Sequence, residues 1–148
     1  MEIIKFYSVV DEYGEFSNFA KYPIKMNGVT WPTTEHYFQA MKMVSPQNQK
    51  KIRNAKTAMQ AARIGRDRKN KRRRDWESCK VEIMRKAVLA KFSQYQELKE
   101  LLLSTHQAKI VEHTVNDDYW GDGGDGKGKN MLGRILMQVR DILAKEER

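Results

Sequence analysis

Five of the chain's nine glycines fall between positions 118 and 130, in the run Asp118-Tyr119-Trp120-Gly121-Asp122-Gly123-Gly124-Asp125-Gly126-Lys127-Gly128-Lys129-Asn130. Glycine-dense backbone reaches conformations closed to other residues, so it can wrap closely around a ligand. A solvated linker has no use for the tryptophan near its start. Directly after it, Met131, Leu132, Ile135, Leu136, Val139, Ile142 and Leu143 recur at the spacing of one helical face. The loop therefore runs into a helix N-terminus, where unpaired N–H groups attract anions. Two readings stand for it: a tight loop before the last helix, or a loop that holds a phosphorylated ligand. The spacing fits neither the Walker loop nor the dinucleotide fingerprint, so no nucleotide fold follows from it.

The formal charge of +9 is concentrated in one place. Positions 63–74 carry eight bases against one acid, which accounts for +7, so the remainder is close to neutral. The stretch is either a solvated connector or a phosphate-facing surface, for nucleic acid or for a phosphorylated small molecule.

Before these two features come the parts that would frame them. Ile3 to Tyr7 reads as a short strand, and Phe16-Ser17-Asn18-Phe19 sets Asn18 between two aromatic anchors, as a turn residue or a ligand contact. Asn27-Gly28 between Ile24-Lys25-Met26 and Val29-Thr30-Trp31 is a hairpin signature. Thr33-Thr34-Glu35 starts a helix with a threonine cap and an acid in the first turn. Glu35, Gln39 and Lys42 then share one helical stripe bordered by Tyr37, Phe38 and Met41. A glutamate there complements the helix dipole, or it forms a site wall with the amide and the amine. Further helices are expected from Gln47 to Arg53, from Thr57 to a stop at Gly65, from an Asp75 cap through Trp76 to Phe92, and from Tyr95 to Leu103. Lys109 to His113 reads as a strand, with His113 structural. The expected fold class is α+β, mostly helical, as a single domain over 1–148 with a small β component from the N-terminal third and the stretch near 110. Strand order does not follow from the pattern.

Composition narrows the function. No apolar run has membrane-spanning length, and the N-terminus has an acid where a signal peptide would be basic. One cysteine, Cys79, within a helical pattern suits a reducing, cytoplasmic setting. With three scattered histidines, it leaves no metal site to expect.

Four motifs, in order, carry a resemblance: Phe16-Ser17-Asn18-Phe19, the run from Trp31 through Glu35 to Ala40, Ala61-Ala62-Arg63-Ile64-Gly65-Arg66, and the run from Tyr119 through Gly124 and Gly128 to Gly133. Together they resemble the YbiA-like NADAR family over nearly the whole chain. The resemblance implies a cofactor-free N-glycosidase that cleaves ribose 5-phosphate from the phosphoribosylamino pyrimidines of riboflavin synthesis. Other members remove ADP-ribose from guanine in DNA, which would give the 63–74 stretch its substrate. A non-catalytic sensor of ADP-ribose or a phosphoribosyl metabolite is a third reading. No membrane partner is implied.

The family's key glutamate matches Glu35, placed to stabilise a cation-like sugar and steer water. Lys42 suits a second route, in which an amine attacks the imine carbon of a ring-opened ribosylamine. Asp122 matches a site acid for ribose hydroxyls or water. Trp76 and Trp120 match tryptophans that frame the base, although Trp76 also fits a plain core stripe. Asn18, Gly121 and Asn130 complete the expected substrate contacts, with Arg63, Arg66 and Lys129 as the phosphate candidates.

Overall fold

The computed structural model describes residues 2–147. In chain order its elements are β1 (Ile3–Phe6), β2 (Ile24–Met26), β3 (Val29–Trp31), α1 (Thr34–Met41), α2 (Pro46–Arg53), α3 (Ala58–Arg66), α4 (Trp76–Gln94), α5 (Gln96–Leu103), β4 (Lys109–Glu112) and α6 (Met131–Glu146). The fold is α+β and mostly helical, as the pattern predicts. The residues gather into two units, Lys21–Lys91 and the pair of segments Met1–Ala20 with Phe92–Arg148.

The Lys21–Lys91 unit begins with a hairpin. Asn27 and Gly28 take positive φ angles of 53° and 81°, and β2 and β3 pair antiparallel with Ile24 opposite Trp31. Three helices follow, each started by a hydroxyl cap. Thr33 accepts from His36 N, Ser45 from Gln47 N and Asn48 N, and Thr57 from Gln60 N. Caps of this kind contribute about 1 kcal/mol each. They matter because helices of eight or nine residues do not hold by themselves. Tertiary packing supplies the rest: Ile24, Trp31, Tyr37, Ala40, Met43, Ile52, Ala61 and Ala87 form one buried cluster.

One local expectation changes here, that of a helix stop at Gly65, while Asp75 keeps its expected place at the start of α4. Gly65 does not stop α3, which continues to Arg66 and is closed by Asp67. The reason for a glycine lies across the helix pair. A Cβ at position 65 would stand 2.1 Å from Gln39 Oε1 of α1. Asp75 sits just before α4, with its carbonyl accepting from Ser78 N and Cys79 N. Its carboxylate takes two bonds from the Arg73 guanidinium, at 2.6 and 2.9 Å.

In the other unit β1 and β4 pair in parallel, Ile3 beside Lys109 and Lys5 beside Val111. Phe16 packs edge-on against Phe6 and Phe92. The far edge of β4 is closed by a side chain. Asn130 Nδ2 donates to Ile110 O at 2.9 Å, and Asn130 Oδ1 accepts from Glu112 N at 3.0 Å. The amide thus stands where a neighbouring strand would bond. Gly133 makes room for it, since a Cβ there would meet Ile110 O at 2.1 Å and Asn130 Nδ2 at 2.4 Å.

Candidate active site

Helix α1 is buried along every residue from Thr34 to Ala40, so its polar side chains are held inside and not in solvent. Glu35, 6% exposed, accepts a hydrogen bond at its Oε2 from Gln39 Nε2 at 2.8 Å. The i,i+4 spacing seen in the sequence places the pair on one stripe. The carboxylate also fixes the orientation of the amide, because only the Nε2 end can donate to it. Gln39 Oε1 is then left without a hydrogen-bond partner among the described residues, pressed toward Gly65 of α3.

Lys42, which caps α1, is 7% exposed. Burial pushes its ammonium below the usual lysine range, and the charge of Arg72 adds to that, with Arg66 in the same direction. Glu35 and Glu77 pull the other way without reversing the shift. Met43 forms an antiparallel bridge with Arg72, Val44 N donates to Lys71 O, and Arg73 N donates to Lys42 O. These bonds tie the basic stretch to the end of α1. Together Lys42, Arg66, Arg68, Lys71 and Arg72 line a cavity of about 550 Å³ whose one acid is Asp67. Arg63, exposed on α3, is not among its lining residues. The charge run was visible in the sequence; which of its members converge was not. Arg68, Lys71 and Arg72 join through the bridge to Met43, for which no local pattern signals. Trp76 is 4% exposed and tilts against Phe38 at 4.9 Å between ring centres, a packing role in this unit.

The other expected residues belong to the Met1–Ala20 and Phe92–Arg148 unit. Asn18 is buried there, next to the anchored Phe16. Asp122 Oδ1 accepts from Thr114 N at 3.1 Å and from Gly124 N at 2.9 Å, while Oδ2 bonds His113 Nδ1 at 2.8 Å. Burial acts to raise its pKa, but His113 and the two amides outweigh it and hold the carboxyl below its ordinary range. Three of about four acceptor positions on the carboxylate therefore serve the loop itself. His113, expected to be structural, lies just past β4 and pins Asp122.

The half-buried Trp120 meets Tyr119 edge to face at 5.0 Å, and Lys129 Nζ lies 5.5 Å from the Tyr119 ring centre. Gly121 O accepts from Asn130 N at 2.9 Å. The start of α6 does not offer its first amides to an anion as expected: Met131 N donates to Tyr119 O and Leu132 N to Trp120 O, each at 3.0 Å. The loop folds back and satisfies the helix end with its own carbonyls. Asn130, expected to touch substrate, has both ends of its amide on β4.

Among the described residues no group of three or more His, Cys, Asp or Glu is arranged to hold a metal ion, and no helix is long and apolar enough to cross a membrane.

The chain is similar to known proteins over nearly its whole length. The model of the NADAR domain matches residues 5–144. N-glycosidase YbiA of Escherichia coli strain K12 is 58% identical over 145 residues, covering 98% of this chain and 91% of that protein. The chloroplastic riboflavin biosynthesis protein PYRR of Zea mays is 45% identical, covering 93% of this chain and 25% of that protein. The NMR structure of the E. coli protein YbiA superposes with a TM-score of 0.92 at 57% identity, covering 99% of this chain and 87% of that one.

Proposed function

The chain belongs to the NADAR family, and from that premise we propose that it is an N-glycosidase. Its substrates are phosphoribosylamino pyrimidines of riboflavin synthesis, and its product is ribose 5-phosphate. Residues 1–148 act as one catalytic domain, a reading supported by the family match over 5–144. The observation that carries the function is the buried Glu35–Gln39 pair on a helix whose cap, Lys42, lines a cavity walled by four further bases.

Cleavage lengthens the bond between the anomeric carbon and the amine nitrogen. The electron pair leaves with the nitrogen, which takes up a proton. Positive charge grows on the sugar, and a desolvated carboxylate stabilises it far better than water would. Water then attacks the anomeric carbon and loses a proton, giving ribose 5-phosphate and the free amine. Gln39 holds Glu35 in one orientation through this sequence, and the cavity bases receive the 5-phosphate. Asp122, Gly121 and Asn130 shape the glycine loop that carries Trp120.

The test is release of ribose 5-phosphate from these intermediates by purified protein. Glu35→Gln should lower turnover by about 10²–10³-fold and leave substrate binding nearly unchanged. No release from the unaltered protein would end the assignment; an unaffected variant would remove Glu35 from the chemistry; retained ligand binding without turnover by the unaltered protein would indicate a sensor.

A second reading, removal of ADP-ribose from guanine in DNA, is favoured by the exposed bases of positions 63–74, which suit a phosphate backbone. Buried Lys42, its pKa lowered chiefly by desolvation, suits attack on an imine carbon in either reaction. Borohydride treatment during turnover on ADP-ribosylated DNA would leave a stable sugar adduct on Lys42 if this route operates, and an unmodified lysine if it does not.

A further inference from the structure

A second basic cavity, of about 510 Å³, lies wholly within the Met1–Ala20 and Phe92–Arg148 unit. The parallel register puts Ile3 beside Lys109 and Lys5 beside Val111, so one face of the β1–β4 sheet carries two lysines on a diagonal. This face, the glycine loop and the first turns of α6 line the cavity. Its cations are Lys5, Lys109, Lys129 and Arg134.

Four properties of the cavity point to an anionic occupant with an apolar body. None of the four cations makes an ion pair among the described residues. The four cations outnumber the two acids of the lining, Asp122, bound to His113 and loop amides, and Asp125, which accepts from Lys127 N at 2.9 Å. Arg134 sits in the first turn of α6, which carries no acid of its own. A base is disfavoured at that end unless an anion lies nearby. Finally, the lining also contains Ile3, 52% exposed, and Met137. The volume is that of a small-molecule site.

We propose that this cavity binds a phosphomonoester with a flat, weakly polar body, the phosphate among the four cations and the ring on Ile3 and Met137. The proposal rests on this unit alone and stands whether or not the N-glycosidase reading holds.

The probe is adenosine monophosphate, titrated into ¹⁵N-labelled protein while backbone amide shifts are followed, with inorganic phosphate as the anion-only comparison. Saturable shifts at Lys5, Lys109, Val111 and Arg134 are expected, with phosphate at least about tenfold weaker because it lacks the ring. The double variant Lys5→Glu, Lys109→Glu should keep the dispersed spectrum of the folded protein and lose at least about tenfold in affinity. Arg66→Glu should leave these shifts in place. Silent amides, an unchanged affinity in the charge-reversed variant, or loss on Arg66→Glu would each overturn the proposal. Equal affinity for phosphate and the nucleotide would overturn the apolar half of it.

Discussion

Glu35 depends on a residue thirty positions away that carries no side chain. Gly65 leaves the space into which Gln39 fits, and Gln39 in turn holds the Glu35 carboxylate. Replacing glycine by alanine inside a helix ordinarily stabilises by about 0.5–1 kcal/mol. Here the added Cβ would displace Gln39, so Gly65→Ala is expected to lower kcat at least about tenfold while KM changes little. A variant both more stable and fully active would show that Gln39 moves without consequence. The i,i+4 spacing of Glu35 and Gln39 was legible in the sequence. The meaning of Gly65 was not, because a glycine near a helix end reads equally well as a stop, and only the α1–α3 approach distinguishes the two.

His36, on the same helix, gives a pH prediction. Its Nε2 donates to Ala55 O at 3.0 Å and its Nδ1 faces Thr33 Oγ1 at 2.8 Å, so the neutral ring is satisfied. Burial lowers its pKa, and the bond to Ala55 only partly offsets this. The unfolded chain therefore takes up the proton first as pH falls. The stability His36 contributes is complete above its unfolded value of about 6.5 and is lost as pH drops through the lower folded value. Urea midpoints measured from pH 7.5 down to pH 5 should fall for the unaltered protein and fall less for His36→Gln. The lowered carboxyl of Asp122 acts in a separate window, below about pH 4.

Among the elements, the glycine loop and α6 illustrate how a segment that reads as ligand-binding can be first of all a structural joint. Asn130 substitutes for a strand on the free edge of β4, and Asp122 gathers Thr114, Gly124 and His113 about one carboxylate. Asn130→Ala leaves the Ile110 carbonyl and the Glu112 N–H without partners. It should destabilise by about 2–4 kcal/mol, read as a lower denaturant midpoint with an unchanged slope. Asn130→Asp should do nearly as much harm, because a carboxylate oxygen would then face the Ile110 carbonyl; a neutral Asp variant would mean that the Nδ2 bond contributes little. From sequence, an asparagine ahead of a helix in a glycine-rich run suggests a cap or a ligand contact. The β4 backbone groups that claim it lie some twenty positions back, beyond any local pattern.

For the whole molecule the governing feature is the uneven charge, +7 of +9 within positions 63–74. Lys42, Arg66, Arg68, Lys71 and Arg72 around one cavity suit the phosphate of a single small substrate, while bases spread along an exposed surface suit a DNA backbone. Ionic strength separates them. Turnover of the phosphoribosylamino pyrimidines should fall only a few-fold between 50 and 200 mM salt, whereas a substrate gripped through several backbone phosphates loses affinity by orders of magnitude. A steep loss would favour the DNA reading.

What the sequence determined by itself was whatever rests on neighbours along the chain. The Asn27-Gly28 turn, the Thr33 cap and the Glu35–Gln39 stripe all follow from bonds reaching one to four residues, and those intervals are written in the order of residues. The tertiary structure alone decided which strand pairs with β1, which bases of the long run converge on Lys42, and why positions 65 and 133 must lack a side chain. Those outcomes depend on contacts between segments far apart in the chain, whose closeness is set by packing and leaves no periodic trace in the residues that make them.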